Sequence, residues 1–126
     1  MKILVVDDSQ IMRRILKVGI GKIDKDAEIL EAENGQEALN LLRTNPDIQY
    51  TFLDINMPIM RGDEMLKIAR ADPDLKHHKI IIQTTEGRKE KFIEIKAMGI
   101  SGYIIKPYTQ QIVEGMMSKL MEKEMA

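Results

Sequence analysis

The sequence predicts an α/β fold, a doubly wound five-stranded parallel sheet, on three observations. Five short apolar runs are bounded by polar residues, each run is followed by apolar residues at helical spacing, and charged residues stand at the run ends. A short run that is apolar on both faces marks a strand buried between two helix layers. The runs are Lys2 to Val6, Glu28 to Glu33, Gln49 to Leu53, Lys79 to Gln83 and Gly102 to Ile105. Five β/α units in 126 residues are expected to form one domain over 1–126, long enough to bury about two thirds of the surface of the unfolded chain.

The first strand ends on Asp7-Asp8, and Ser9 is a good N-cap for a helix with Ile11, Ile15 and Met12, Leu16, Ile20 at helical spacing. Gly19 and Gly21 weaken its last turn. Asn34-Gly35 turns the chain from the second strand into a short helix carrying Ala38, Leu39 and Leu42, which Pro46 helps to end. Gly62 opens a third helix through Met65, Leu66 and Ile68. The fourth, roughly Arg88 to Met98, has Gly99 as its C-cap. Its charges, Arg88, Lys89, Glu90, Lys91, Glu94 and Lys96, read mainly as a solvated face. The fifth helix runs from near Thr109 towards Met125. There Met116, Met117 and Met121 join Ile112, Val113 and Leu120 in a core-facing stripe, in preference to an adaptable partner surface that includes Met125.

The formal charge is -1, from 19 basic and 20 acidic residues, with no basic stripe, so nucleic-acid binding is not expected. The opening apolar run is too short for a signal peptide, and no stretch is long enough to cross a membrane. A cytoplasmic location without membrane insertion is therefore expected. The absence of cysteine rules out disulfides and thiolate metal sites. His77 and His78 lie in a polar stretch and, as neighbours, do not converge as metal ligands; both are expected to be solvated.

Asp7, Asp8, Asp54 and Lys106 all follow apolar runs. Parallel strands bring their C-terminal ends to one edge of the sheet, where open α/β sheets bind ligands. Gathered carboxylates repel one another, and a hard divalent cation such as Mg²⁺ relieves that cost. Mg²⁺ takes one or two protein carboxylates and shares phosphate oxygens, leaving Lys106 to face the far side of a phosphoryl group. The constellation points to phosphoryl chemistry.

Four blocks, Val5-Val6-Asp7-Asp8-Ser9, Leu53-Asp54-Ile55-Asn56-Met57-Pro58, Thr84-Thr85-Glu86 and Lys106-Pro107-Tyr108-Thr109, resemble the signatures of response-regulator receiver domains. They occur in that family's order over nearly the whole chain. Met12-Arg13-Arg14 and Ser101 through Pro107 are similar to the stand-alone, CheY-like chemotaxis regulators. The resemblance implies a flavodoxin-like (βα)5 receiver fold with strand order 2-1-3-4-5. It makes Asp54 the phosphoacceptor for a sensor histidine kinase, forming an acyl phosphate. It assigns Mg²⁺ to Asp7, Asp8, Asp54 and the backbone carbonyl of Asn56, and gives Lys106 and Thr84 the phosphoryl oxygens.

By the same resemblance, Thr84 and Tyr103 are switch residues that bias the face made by the fourth helix, fifth strand and fifth helix towards a partner. That partner is a flagellar motor switch protein, with a phosphatase as a possible further partner, and the protein acts as a monomer. The family is not enzymatic beyond its own phosphorylation and dephosphorylation, and its Lys106-Pro107 bond is cis. Asn56 and Glu86 match a pair that flanks short-lived acyl phosphates. Thr85 stands where small residues are usual. Arg61 stands where acidic or amide residues are frequent, outside the reacting shell, and little chemical effect is expected of it. Lys119 matches the motor-control pattern, whereas Met116 replaces a lysine. A phosphorelay or phosphate-sink role is the near alternative. A haloacid-dehalogenase-type phosphatase lacks its second Asp here, and a flavodoxin lacks its phosphate loop, for which Asp7-Asp8-Ser9-Gln10 is the wrong charge.

Overall fold

A computed structural model describes residues 1–85 and 87–125. Five parallel strands, β1 (Lys2–Val6), β2 (Glu28–Ala32), β3 (Tyr50–Asp54), β4 (Lys79–Thr84) and β5 (Gly102–Ile105), form one sheet in the order β2-β1-β3-β4-β5. Five helices alternate with them: α1 (Gln10–Ile23), α2 (Gly35–Thr44), α3 (Gly62–Ala71), α4 (Lys89–Ala97) and α5 (Gln110–Met125). The expected fold class and strand order are both present. Val6 pairs with Ala32 and Leu53, Asp54 with Gln83, and Thr84 with Ile105, so the strand ends that carry the candidate residues align.

Side-chain alternation along each strand divides the core in two. Leu4, Val6, Leu53, Ile80 and Ile82 meet the inner faces of α2, α3 and α4. Ile3, Val5, Phe52 and Ile81 meet α1 and α5 on the other face. Burying each such side chain stabilises the fold by about 1.5–3 kcal/mol. Gly19 serves packing here: a Cβ at that position would lie 2.7 Å from the Val113 Cβ, so its absence lets α1 sit close on α5. Ser9 and Asn34 cap α1 and α2, accepting from the Met12 and Glu37 amides.

Expectations about the faces are corrected at Ile11, Ile68, Ile112, Lys91 and His78. Ile11 is 73% exposed, because the inner stripe of α1 runs through Arg13, Leu16, Gly19 and Ile20. Ile68 and Ile112 also lie at the edges of their helices' buried stripes and face solvent. In α5 Met117 is buried and Met116 and Met121 pack at the core's margin, with Met116 over Gly102, while Met125 is exposed. Lys91 is not a solvated charge. Its ammonium donates to Asp63 at the start of α3 (2.7 Å), and its side chain is mostly buried.

His78 is the last of these corrections. Its Nε2 lies 2.7 Å from Thr51 Oγ1 inside β3, while His77 is exposed as expected. Burial, with Arg70 nearby, pushes the His78 pKa down to about 4. The neutral ring therefore contributes stability that is present above the unfolded value near 6.5 and lost as pH falls through about 4. His78→Gln is expected to flatten the pH dependence of the urea midpoint over that window. An unchanged slope would show that His78 does not titrate with unfolding.

Among the described residues α4 is the least anchored helix. Only Ile95 is buried in it, and no side chain caps its start. Phe92 supplies a further hold, meeting Tyr103 of β5 edge to face with ring centroids 4.8 Å apart.

Candidate functional site

The C-terminal edge of the sheet gathers the residues expected there. Asp7 follows β1 and is fully buried, Asp54 ends β3 with 4% of its surface exposed, and Asp8 is exposed. Carboxylate oxygens of all three lie within 4.8 Å of one another. Lys106, just beyond β5, donates to Asp7 Oδ2 at 2.7 Å and faces Asp54 Oδ2 at 3.3 Å. The Lys106-Pro107 bond is cis, and the Lys106 amide donates to the Thr84 carbonyl (2.7 Å), tying the end of β5 to β4.

The loop after β3 is drawn shut by Gly62, whose amide donates to the Ile55 carbonyl (2.9 Å). A Cβ on Gly62 would overlap the Asp54 carbonyl group. Asn56 lies exposed in this loop, two residues beyond Asp54. Thr84 ends β4 fully buried, and Tyr103 is half-buried against Phe92. Glu86, the other half of the expected flanking pair, lies outside the described residues.

Polar partners hold Asp7 in place. Its Oδ1 accepts from the Ser9 amide (2.9 Å) and its Oδ2 from Gln83 Nε2 (3.1 Å), while Gln83 Oε1 accepts from the Tyr108 hydroxyl. Arg13, buried in α1, donates to the Asp7 carbonyl (2.8 Å) and to Glu31 (2.9 Å). Burial, and then the charge of Asp7, push the Asp54 pKa up to about 6, with Lys106 pulling the other way. One lysine therefore does not neutralise the cluster. Three hard oxygen donors at this spacing, still short of positive charge, fit a hard divalent cation.

Gln83, Tyr108 and Arg13 escaped sequence reasoning as supports of the site. Gln83 had a usable signal: a polar side chain after Ile80-Ile81-Ile82 in a buried strand must find a partner.

Fold and site together define a flavodoxin-like α/β domain whose switch point is a carboxylate pocket closed by a lysine, rather than a loop of backbone amides for a nucleotide or flavin phosphate. The chain belongs to the response regulator receiver domain family, whose model matches residues 3–117. It is 44% identical to a chemotaxis protein CheY homolog of Campylobacter jejuni over 90% of this chain and 87% of that protein. It is 43% identical to chemotaxis protein CheY1 of Helicobacter pylori, covering 90% and 91% of the two chains. Among solved structures, chemotaxis response regulator CheY4 of Vibrio cholerae superposes with a TM-score of 0.81 at 31% identity, covering 94% of this chain and 96% of that one.

Proposed function

We propose that this protein is a phosphorylation-controlled switch of a chemotaxis two-component system, with Asp54 as its phosphoacceptor. The observation that carries the reading is the convergence of Asp54 with the carboxylates of Asp7 and Asp8 at the open edge of the sheet, with the Lys106 ammonium bridging Asp7 and Asp54. With a pKa of about 6, Asp54 is mainly ionised at neutral pH and available as a nucleophile. A carboxylate oxygen of Asp54 attacks the phosphorus of a kinase phosphohistidine. The P–N bond breaks, and the imidazole leaves with the electron pair. Hydrolysis ends the signal when water attacks phosphorus, the acyl P–O bond breaks and inorganic phosphate departs.

Asp7, Asp8, Asp54 and the Asn56 carbonyl would hold Mg²⁺. When bound, the ion screens the phosphoryl charge so that one anion is able to approach another. Lys106 leaves its contact with Asp54 Oδ2 to pair with a phosphoryl oxygen, and the Thr84 hydroxyl donates to another. The loop after β4 then moves inward and Tyr103 turns towards the interior, which alters the face of α4, β5 and α5. That face carries an open groove of about 570 Å³ lined by Tyr103, Ile105, Ile112, Met116 and Lys119 among others. Apolar residues with one lysine at the rim suit a partner helix with an apolar stripe, here a segment of the flagellar motor switch. The chemotaxis names of the relatives support this output.

Intact-mass spectrometry after incubation with a small acyl-phosphate donor tests the reading. Wild type is expected to gain a single phosphoryl group only with Mg²⁺, and Asp54→Asn none. No adduct on wild type, or an undiminished one on the variant, would overturn the assignment of Asp54.

A further inference from the structure

The loop joining β3 to α3 closes between the Ile55 carbonyl and the Gly62 amide, so Asn56 and Arg61 stand one residue inside its neck on opposite sides. Their side chains meet: Arg61 Nη1 donates to Asn56 Oδ1 at 3.1 Å. The guanidinium is itself held, because Arg61 Nε donates to Asp63 Oδ1 at 3.1 Å. Asp63 is nearly buried, and its second oxygen accepts from Lys91 of α4 at 2.7 Å. Burial would raise the Asp63 carboxyl pKa, but the bonds from Lys91 and Arg61 outweigh it and hold the pKa below the usual value. An anchored anion therefore orients a rigid two-armed cation, and the cation grips the amide oxygen of the exposed residue next to the acidic pocket.

We propose that Arg61, braced by Asp63 and Lys91, is a positioning residue that holds Asn56 in the orientation that promotes hydrolysis of a phosphoryl group on Asp54. The proposal deepens the functional reading above and rests on it. With its oxygen taken by Arg61, Asn56 keeps its NH₂ as the free end. An NH₂ donor binds a water by its oxygen and leaves the second lone pair of that water free to attack phosphorus. Released from Arg61, the side chain samples its other rotamers and flips, and the fraction of time in which it aligns a water falls.

The test follows loss of the phosphoryl adduct by intact mass after donor removal, in Mg²⁺ buffer, for wild type, Arg61→Ala, Asn56→Ala and the double variant. Arg61→Ala is expected to lengthen the lifetime about three- to tenfold, the scale of a lost orienting hydrogen bond, while the rate of adduct formation stays within about twofold. In the Asn56→Ala background the same substitution is expected to change nothing, an outcome that a general structural effect of Arg61 would not produce. An unchanged or shortened lifetime in Arg61→Ala, or an equal effect in both backgrounds, would overturn the proposal. A wild type that takes no adduct would remove the phosphoacceptor reading itself and this inference with it, which distinguishes the two failures.

Discussion

In metal-free buffer at pH 7, Asp54→Asn is expected to be more stable than wild type by about 2–3 kcal/mol, and the difference to vanish as pH falls towards 4. Burial and the neighbouring Asp7 raise the Asp54 pKa from 3.8 to about 6. The folded protein thus binds this proton more tightly than the unfolded chain does. A group of this kind contributes stability that is complete below the unfolded pKa and is lost as pH rises through the folded one, here between about 4 and 6. Asparagine carries no charge at any pH and escapes the loss. His78 titrates identically in both proteins, so its opposite slope cancels from the comparison. Urea midpoints at several pH values measure the difference. A gap that is constant with pH, or a wild type that is the more stable at pH 7, would show that Asp54 is not destabilised by its charge. Adding Mg²⁺ is expected to stabilise wild type more than the variant, because an ion that binds only the folded state shifts unfolding by mass action.

The second large effect concerns a glycine. Gly62→Ala is expected to lower stability by about 3 kcal/mol or more, the upper range for overpacking. A Cβ there would lie 2.8 Å from the Asp54 carbonyl carbon and closer still to its oxygen. Both belong to the strand that carries the candidate phosphoacceptor, so relief requires the loop neck to open and Asp54 to shift. Gly21 in α1 and Gly115 in α5 are the contrast, since a Cβ at either meets nothing within 4 Å. Alanine at those helical positions is expected to stabilise by about 0.5–1 kcal/mol. Urea denaturation of the three variants checks the ordering. A Gly62→Ala midpoint close to wild type would mean that the neck is loose.

The legible and illegible parts of the site differ in kind. Asp7, Asp8, Asp54 and Lys106 were identifiable because each follows an apolar run and parallel strands carry such positions to one edge. The strand order that makes β1 and β3 neighbours came from family resemblance, since periodicity does not rank strands in a sheet. The bond between Lys91 and Asp63 spans 28 residues and that between His78 and Thr51 spans 27, separations over which no local pattern pairs polar side chains. Arg61 was expected to have little chemical effect, and the closed loop brings it onto Asn56.

Local pattern alone therefore settled the element sequence, the existence of two buried layers and the identity of the acidic cluster, because alternation, helical spacing and strand-end chemistry are properties of neighbours along the chain. Packing in three dimensions decided which side of each helix faces inward, which left Ile11, Ile68 and Ile112 in solvent. It also decided which charges found partners, as Lys91, Arg61 and Arg13 did. The physical reason is that a helix's rotation and a loop's closure are set by the summed contacts of distant residues. Long polar side chains then bond to whatever acceptor that packing brings within about 3 Å.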